Sequence, residues 1–125
     1  MAKILITDDS PTVLAIISRS LQKEGYDVVT ASSGEEAFEK TISEQPDLIL
    51  MDVTLPMQSG YEVCRKIKDD YRLKKIPVIF LTGKNPEEEK RQFEESKGNA
   101  FLAKPVDMEK LFETIETFLS ETKNT

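Results

Sequence analysis

The feature that most constrains this chain is its regular exchange between two kinds of apolar pattern. Five short runs, Ile4–Thr7, Val28–Ala31, Leu48–Met51, Val78–Leu81 and Ala100–Ala103, are strand-length and bounded by polar or turn residues. Helix-length segments follow each one. Ser10-Pro11 supplies an N-cap and then a proline for the first helical position. Asn85-Pro86 repeats the device, and Glu87, Glu88 and Glu89 then complement the helix dipole. Leu14, Ile17 and Leu21 recur at i, i+3, i+7, as do Cys64, Ile67 and Tyr71. Met108, Leu111, Phe112, Ile115, Phe118 and Leu119 form the strongest stripe. Strand then helix, five times over, predicts an α/β fold with a parallel sheet and helices on both faces. The first, third and fourth runs lack clean period-two alternation, as expected of strands buried on both sides.

The chain has 125 residues, the size of one domain, expected to span 1–125 with Glu121–Thr125 as a loose polar tail. Its formal net charge of −6 disfavours nonspecific nucleic-acid binding, and no Lys/Arg cluster suggests a groove for it. No apolar run approaches the ~20 residues of a membrane span. The start enters a strand-like run at Ile4 with no signal-peptide pattern. With one cysteine, Cys64, no internal disulfide forms, and a reducing cytoplasm is the expected compartment. The absence of histidine rules out a phosphohistidine donor, a His-based zinc site and a Ser-His-Asp triad within this chain.

In an open parallel sheet, ligands bind beyond the carboxyl ends of the strands, near the point where strand order reverses. The polar residues fall on that edge. Asp8 and Asp9 follow the first run, Asp52 the third, Thr82 the fourth and Lys104 the fifth. Three clustered carboxylates repel one another unless a cation joins them, and an all-oxygen site suits Mg²⁺. One carboxylate can then act as nucleophile toward phosphorus. An ammonium and a hydroxyl, from Lys104 and Thr82, can stabilise charge on the phosphoryl oxygens. Taken singly, each residue has a plainer reading: a turn pair for Asp8-Asp9, a strand end for Asp52 and Thr82, a solvated Lys104, a core Phe101 and Cys64. The Glu87–Glu95 run reads as a solvated face. Joint occurrence at mapped strand ends favours the chemical reading, because a charge after Leu48–Met51 is costly without a partner.

These residues resemble the receiver domains of two-component response regulators, the CheY-like family, over about Lys3–Ser120. The matching elements are Asp8-Asp9, Met51-Asp52, Pro56 and Gly60, Leu81-Thr82-Gly83, and Lys104-Pro105. The resemblance implies a doubly wound (βα)5, flavodoxin-like sandwich with strand order 2-1-3-4-5. It implies that Asp52 is the phosphoacceptor, and that Asp9, Asp52 and the Thr54 carbonyl bind Mg²⁺ directly, with Asp8 reaching it through water. Lys104 would pair with the phosphoryl group and Thr82 would hydrogen-bond it, helped by the Thr54 and Gly83 N–H groups. The Lys104–Pro105 bond would be cis. Switching would couple Thr82 to Phe101, where relatives often carry tyrosine. Thr54 and Lys84 stand where dephosphorylation is commonly tuned.

The function expected from this resemblance is a stand-alone response regulator, switched by a histidine kinase or phosphotransfer protein. Its target would dock on the face of the fourth helix, fifth strand and fifth helix, with the protein a monomer or weak dimer and no contact with nucleic acid or membrane. The opening Lys3–Thr12 and the stretch Lys104–Asp107 look like receivers of chemotaxis-like and type IV pilus systems. The fourth helix, with Phe93 its only large apolar residue, is the expected moving part. Three alternatives compete. An aspartyl-phosphate phosphatase would need an acid/base carboxylate where Thr54 stands. A flavin or nucleotide binder would need a glycine-rich loop where Asp8-Asp9 stand. A phosphorylation-independent scaffold would have no use for the full acidic and basic set. The chain is therefore expected to catalyse only its own phosphorylation and dephosphorylation.

Overall fold

Each apolar run becomes a strand and each intervening segment a helix in the computed structural model, which describes residues 1–123. In chain order these are β1 (Lys3–Thr7), α1 (Pro11–Lys23), β2 (Asp27–Ala31), α2 (Gly34–Glu44), β3 (Leu48–Asp52), α3 (Gly60–Asp69), β4 (Val78–Thr82), α4 (Pro86–Ser96), β5 (Ala100–Ala103) and α5 (Met108–Lys123). The strands form one parallel sheet in the order β2-β1-β3-β4-β5. This is the doubly wound arrangement, with the order reversing between β1 and β3.

The unalternating runs are explained by two cores, one on each face. Ile4 and Ile6, Leu48 and Leu50, and Ile79 and Leu81 point to the layer of α1 and α5, where Ile17, Leu21, Leu111, Ile115 and Leu119 meet them. The residues between them, Leu5, Ile49, Met51, Val78 and Phe80, point to the layer built with Ala37 of α2 and Val63, Cys64 and Ile67 of α3. Residues at alternating positions thus serve opposite layers, so every position must be apolar.

Local chemistry sets the helix starts. The Ser10 hydroxyl accepts the Val13 N–H at 3.3 Å, and Asn85 Oδ1 accepts that of Glu87 at 2.9 Å. Ser33 caps α2 while Glu36 reaches back to the Ser32 N–H at 2.6 Å, so two exposed donors are satisfied together.

Three expectations are corrected. Tyr71 is 81% exposed and lies past the end of α3, because Asp70 leaves helical geometry and its carboxylate turns to bind Arg72 at 2.7 Å. The last helix continues through Lys123, so Glu121 to Lys123 are helical instead of a loose tail; Asn124 and Thr125 lie outside the described residues. The Glu87–Glu95 run is not wholly solvated: Glu89 is only 6% exposed.

Candidate functional site

The parallel register brings the ends of β1, β3, β4 and β5 to one edge. The Asp8 N–H is pinned to the Ala31 carbonyl at 3.1 Å, which holds the acidic pair just past β1. Asp8 Oδ1 accepts the Ser10 N–H at 2.9 Å, coupling the site to the start of α1. Asp52 is the last residue of β3. The loop after it folds back tightly: the Gly60 N–H donates to the Val53 carbonyl at 2.8 Å, and a Cβ on Gly60 would overlap the Asp52 carbonyl. Only glycine permits that approach.

Asp8, Asp9 and Asp52 bring carboxylate oxygens within 4.8 Å of one another. Asp8 and Asp52 are buried, at 3% and 6% exposure, while Asp9 is open to solvent. Lys104 spans the buried pair, its Nζ 3.1 Å from Asp8 Oδ2 and 3.5 Å from Asp52 Oδ2. The Lys104 N–H donates to the Thr82 carbonyl at 2.8 Å, so the ammonium is delivered from a backbone that extends the sheet. The bond that follows, Lys104–Pro105, is cis as the resemblance implied.

The electrostatics are unbalanced. Burial first, and the Asp8 charge second, raise the pKa of Asp52 above the ordinary carboxylate value, against the opposing pull of Lys104 and the Thr54 N–H. Burial works against the Lys104 ammonium, but its hydrogen bond to Asp8 and the charges of Asp52 and Asp8 prevail and raise its pKa. One lysine facing three carboxylates leaves an excess of negative charge, ringed by oxygen donors. That set fits a hard divalent cation such as Mg²⁺, with Asp8, Asp9 and Asp52 as the carboxylates able to hold it.

Thr82 is buried at the end of β4, and its hydroxyl oxygen accepts the Lys84 N–H at 3.0 Å. The hydroxyl proton therefore remains available to a ligand. Thr54 donates its N–H to Asp52 Oδ1 at 3.2 Å. Gly83 follows Thr82 with open space around its α-carbon. Phe101 lies opposite Phe80 in the β4–β5 register, two positions before the residue opposite Thr82, so Thr82 and Phe101 share a face. Phe101 is half-buried, its ring 4.9 Å from Phe93 of α4. Phe93 in turn stands 6.0 Å from Phe80, and Phe80 4.7 Å from Tyr61. The aromatic chain from β5 through α4 and β4 to α3 was not read from the sequence. Glu89 and Tyr61 were missed as well. The available signal was Glu89, Phe93 and Ser96 at i, i+4, i+7, one inward face of α4.

Fold and site together define a phosphorylation-switch domain, and the chain belongs to the response regulator receiver domain family, whose model matches residues 4–116. Among curated relatives it is 37% identical to the protein PilH of Pseudomonas aeruginosa, over 96% of this chain and 99% of PilH. It is 34% identical to the alkaline phosphatase synthesis transcriptional regulatory protein PhoP of Bacillus subtilis, over 97% of this chain but 50% of PhoP. Among solved structures, the chemotaxis protein CheY4 of Vibrio cholerae superposes with a TM-score of 0.89 at 32% identity, covering 94% of this chain and 98% of CheY4. The response regulator TrrA of Thermotoga maritima, solved in complex with Mg²⁺ and BeF, gives 0.85 at 30% identity, covering 94% and 99%. No described helix is long and apolar enough to cross a membrane.

Proposed function

We propose that Asp52 is the phosphoacceptor of this receiver and that Asp8, Asp9, Asp52 and the Thr54 carbonyl hold the Mg²⁺ that accompanies the transfer. The observation that carries this is the Asp8–Asp9–Asp52 cluster at the strand ends, with Lys104 spanning its two buried members. When bound, Mg²⁺ supplies charge neutralisation on the transferring group.

The chain's own residues supply the rest. A carboxylate oxygen of Asp52 attacks phosphorus of a phosphohistidine in line, and the P–N bond breaks as the acyl-phosphate bond forms. The donor imidazole leaves with the bonding pair. Lys104, poised between Asp8 and Asp52, exchanges its Asp52 contact for a phosphoryl oxygen. Thr82 donates its free hydroxyl proton to another, and the N–H groups of Thr54 and Gly83 face the same group. The Lys104 N–H bond to the Thr82 carbonyl, just before Pro105, sets the direction from which Lys104 enters. Engagement of Thr82 draws on the face it shares with Phe101, which is the route to the surface of α4, β5 and α5. Hydrolysis of the acyl phosphate returns Asp52, so the domain catalyses its own phosphorylation and dephosphorylation.

The donor is a histidine kinase or phosphotransfer protein, in the cytoplasm. The pathway proposed is chemotaxis-like control of motility of the pilus type, supported by the identity to PilH along almost all of both chains and by the Lys3–Thr12 opening. Phosphotransfer from a kinase of such a system, faster than from unrelated kinases, would support the assignment; equal rates from all would remove it. The metal roles are tested by Mg²⁺ titration calorimetry. Asp9→Ala should lose more affinity than Asp8→Ala, whose carboxylate already holds Lys104 and the Ser10 N–H. The reverse order would reassign the ligands.

A further inference from the structure

Beside the acidic cluster lies a cavity of about 600 Å³ between the β3–α3 loop and α4. Thr54, Met57, Tyr61, Lys84, Glu89 and Gln92 are among its walls. Two polar groups lining it are buried. Glu89, 6% exposed, and Tyr61, 7% exposed, lie against each other, yet neither Glu89 Oε1 nor the Tyr61 hydroxyl makes a well-aligned hydrogen bond. Burial first, then the Glu89 charge and the hydroxyl's contact with Glu89, push the Tyr61 phenol up to about 12, so it stays protonated and can offer Glu89 one neutral donor but no cation. Among the described residues no lysine or arginine pairs with Glu89, although Lys84 stands on the same rim. A buried carboxylate oxygen left without a donor is costly unless something else supplies one.

The rim adds an exposed apolar side chain. Met57 holds its backbone in the left-handed region at φ 72° while its side chain stands fully exposed. That conformation belongs to a tight turn closed by the Gln58 N–H donating to the Pro56 carbonyl at 2.8 Å, which leaves the Met57 side chain facing outward. Met57 offers a flexible apolar contact at the mouth of a cavity whose floor lacks a cation.

We infer that this cavity receives an arginine side chain from a protein partner, its guanidinium meeting Glu89 and the Tyr61 hydroxyl while the partner's neighbouring apolar surface rests on Met57. A guanidinium suits the two acceptors better than a point charge, because its planar fork donates in several directions at once. The net charge of −6 favours the approach of a basic surface. This rests on the receiver reading in one respect: Thr54 lines both the cavity and the acidic site, so charge added at Asp52 strengthens the field felt by the incoming cation.

The test titrates three capped tripeptides, Gly-Arg-Gly, Gly-norleucine-Gly and Gly-Glu-Gly, into the ¹⁵N-labelled chain and follows amide shifts. The expected result is saturable movement at Thr54–Glu62 and Lys84–Gln92 with the arginine peptide alone, weakened roughly tenfold or more in Glu89→Gln. Tyr61→Phe should weaken it less. A well-dispersed spectrum of each variant establishes that it is folded. Absence of saturable shifts, equal response to norleucine, or an undiminished response in Glu89→Gln would overturn the inference. Labelling of Asp52 by acetyl phosphate is scored separately on the unaltered chain. Its failure would remove the receiver reading alone, whereas a flat titration on a chain that labels would remove the cavity assignment alone.

Discussion

At Asp52, burial and the Asp8 carboxylate both work against ionisation, and only Lys104 and one N–H oppose them. An acid whose pKa is raised by folding destabilises the folded state once it ionises. That penalty is fully present above the raised pKa and disappears as pH falls below the ordinary carboxylate value, where both states are protonated. Asp52→Asn removes the charge and keeps an oxygen for the Thr54 N–H. It should therefore melt higher than the parent chain at pH 7 without Mg²⁺, and the gap should close on acidification. A gap that widens toward acid would contradict the electrostatic account. Gly60→Ala should cost about 1–3 kcal/mol, because its Cβ would meet the Asp52 carbonyl and the Met51 side chain, and the displaced strand end should slow phosphoryl uptake. Denaturant unfolding checks the first part; unchanged stability would show that the loop relaxes freely. The site residues were legible because each follows a run of apolar residues, where a charge needs a reason. Glu89 was hidden among four neighbouring glutamates, and its burial shows only once α4 is laid on α3. Tyr71 was misread because helical spacing was counted past Asp69, where the chain turns to satisfy Asp70 and Arg72.

The helices differ in how they are held. The buried face of α4 consists of Glu89, Phe93 and Ser96, with Phe93 its only large apolar member, whereas α5 inserts Leu111, Ile115 and Leu119 into the core. Polar ties replace apolar area along α4: Cys64 Sγ to the Ser96 carbonyl at 3.4 Å and Arg65 to that of Glu95 at 2.8 Å. Amide exchange in α4 should accordingly be faster than in α5, and equal protection would refute its role as the moving element. Phe93→Ala, which removes the ring between Phe80 and Phe101, should cost about 2–3 kcal/mol and raise α4 exchange further. A loss confined to global stability, with α4 exchange unaltered, would separate α4 from the aromatic chain. The elements themselves were largely legible, since caps and apolar spacing agree at α1 and α4. Strand ends were read a residue short at Lys3, Asp27, Asp52 and Thr82, because polar residues there still join the ladder. That ladder pairing depends on the neighbouring strand, which lies far away in sequence.

In the whole molecule, two apolar layers enclose a sheet whose carboxyl edge, where the strand order reverses, carries the acidic cluster. A phosphoryl group there adds roughly −1.5 to −2 charge beside Lys104 and Thr82. Under the proposed reading, that charge would bias the arrangement of α4 and β5 and so reach the surface. The strand order came from family resemblance, since periodicity alone fixes neither neighbours nor handedness. The central claim is tested most directly by peptide mapping after incubation with Mg²⁺ and acetyl phosphate. One hydroxylamine-labile phosphoryl group is expected on the peptide carrying Asp52, absent without Mg²⁺ and absent from Asp52→Asn. Undiminished labelling of that variant, or a phosphoryl group mapped to any other residue, would contradict the account.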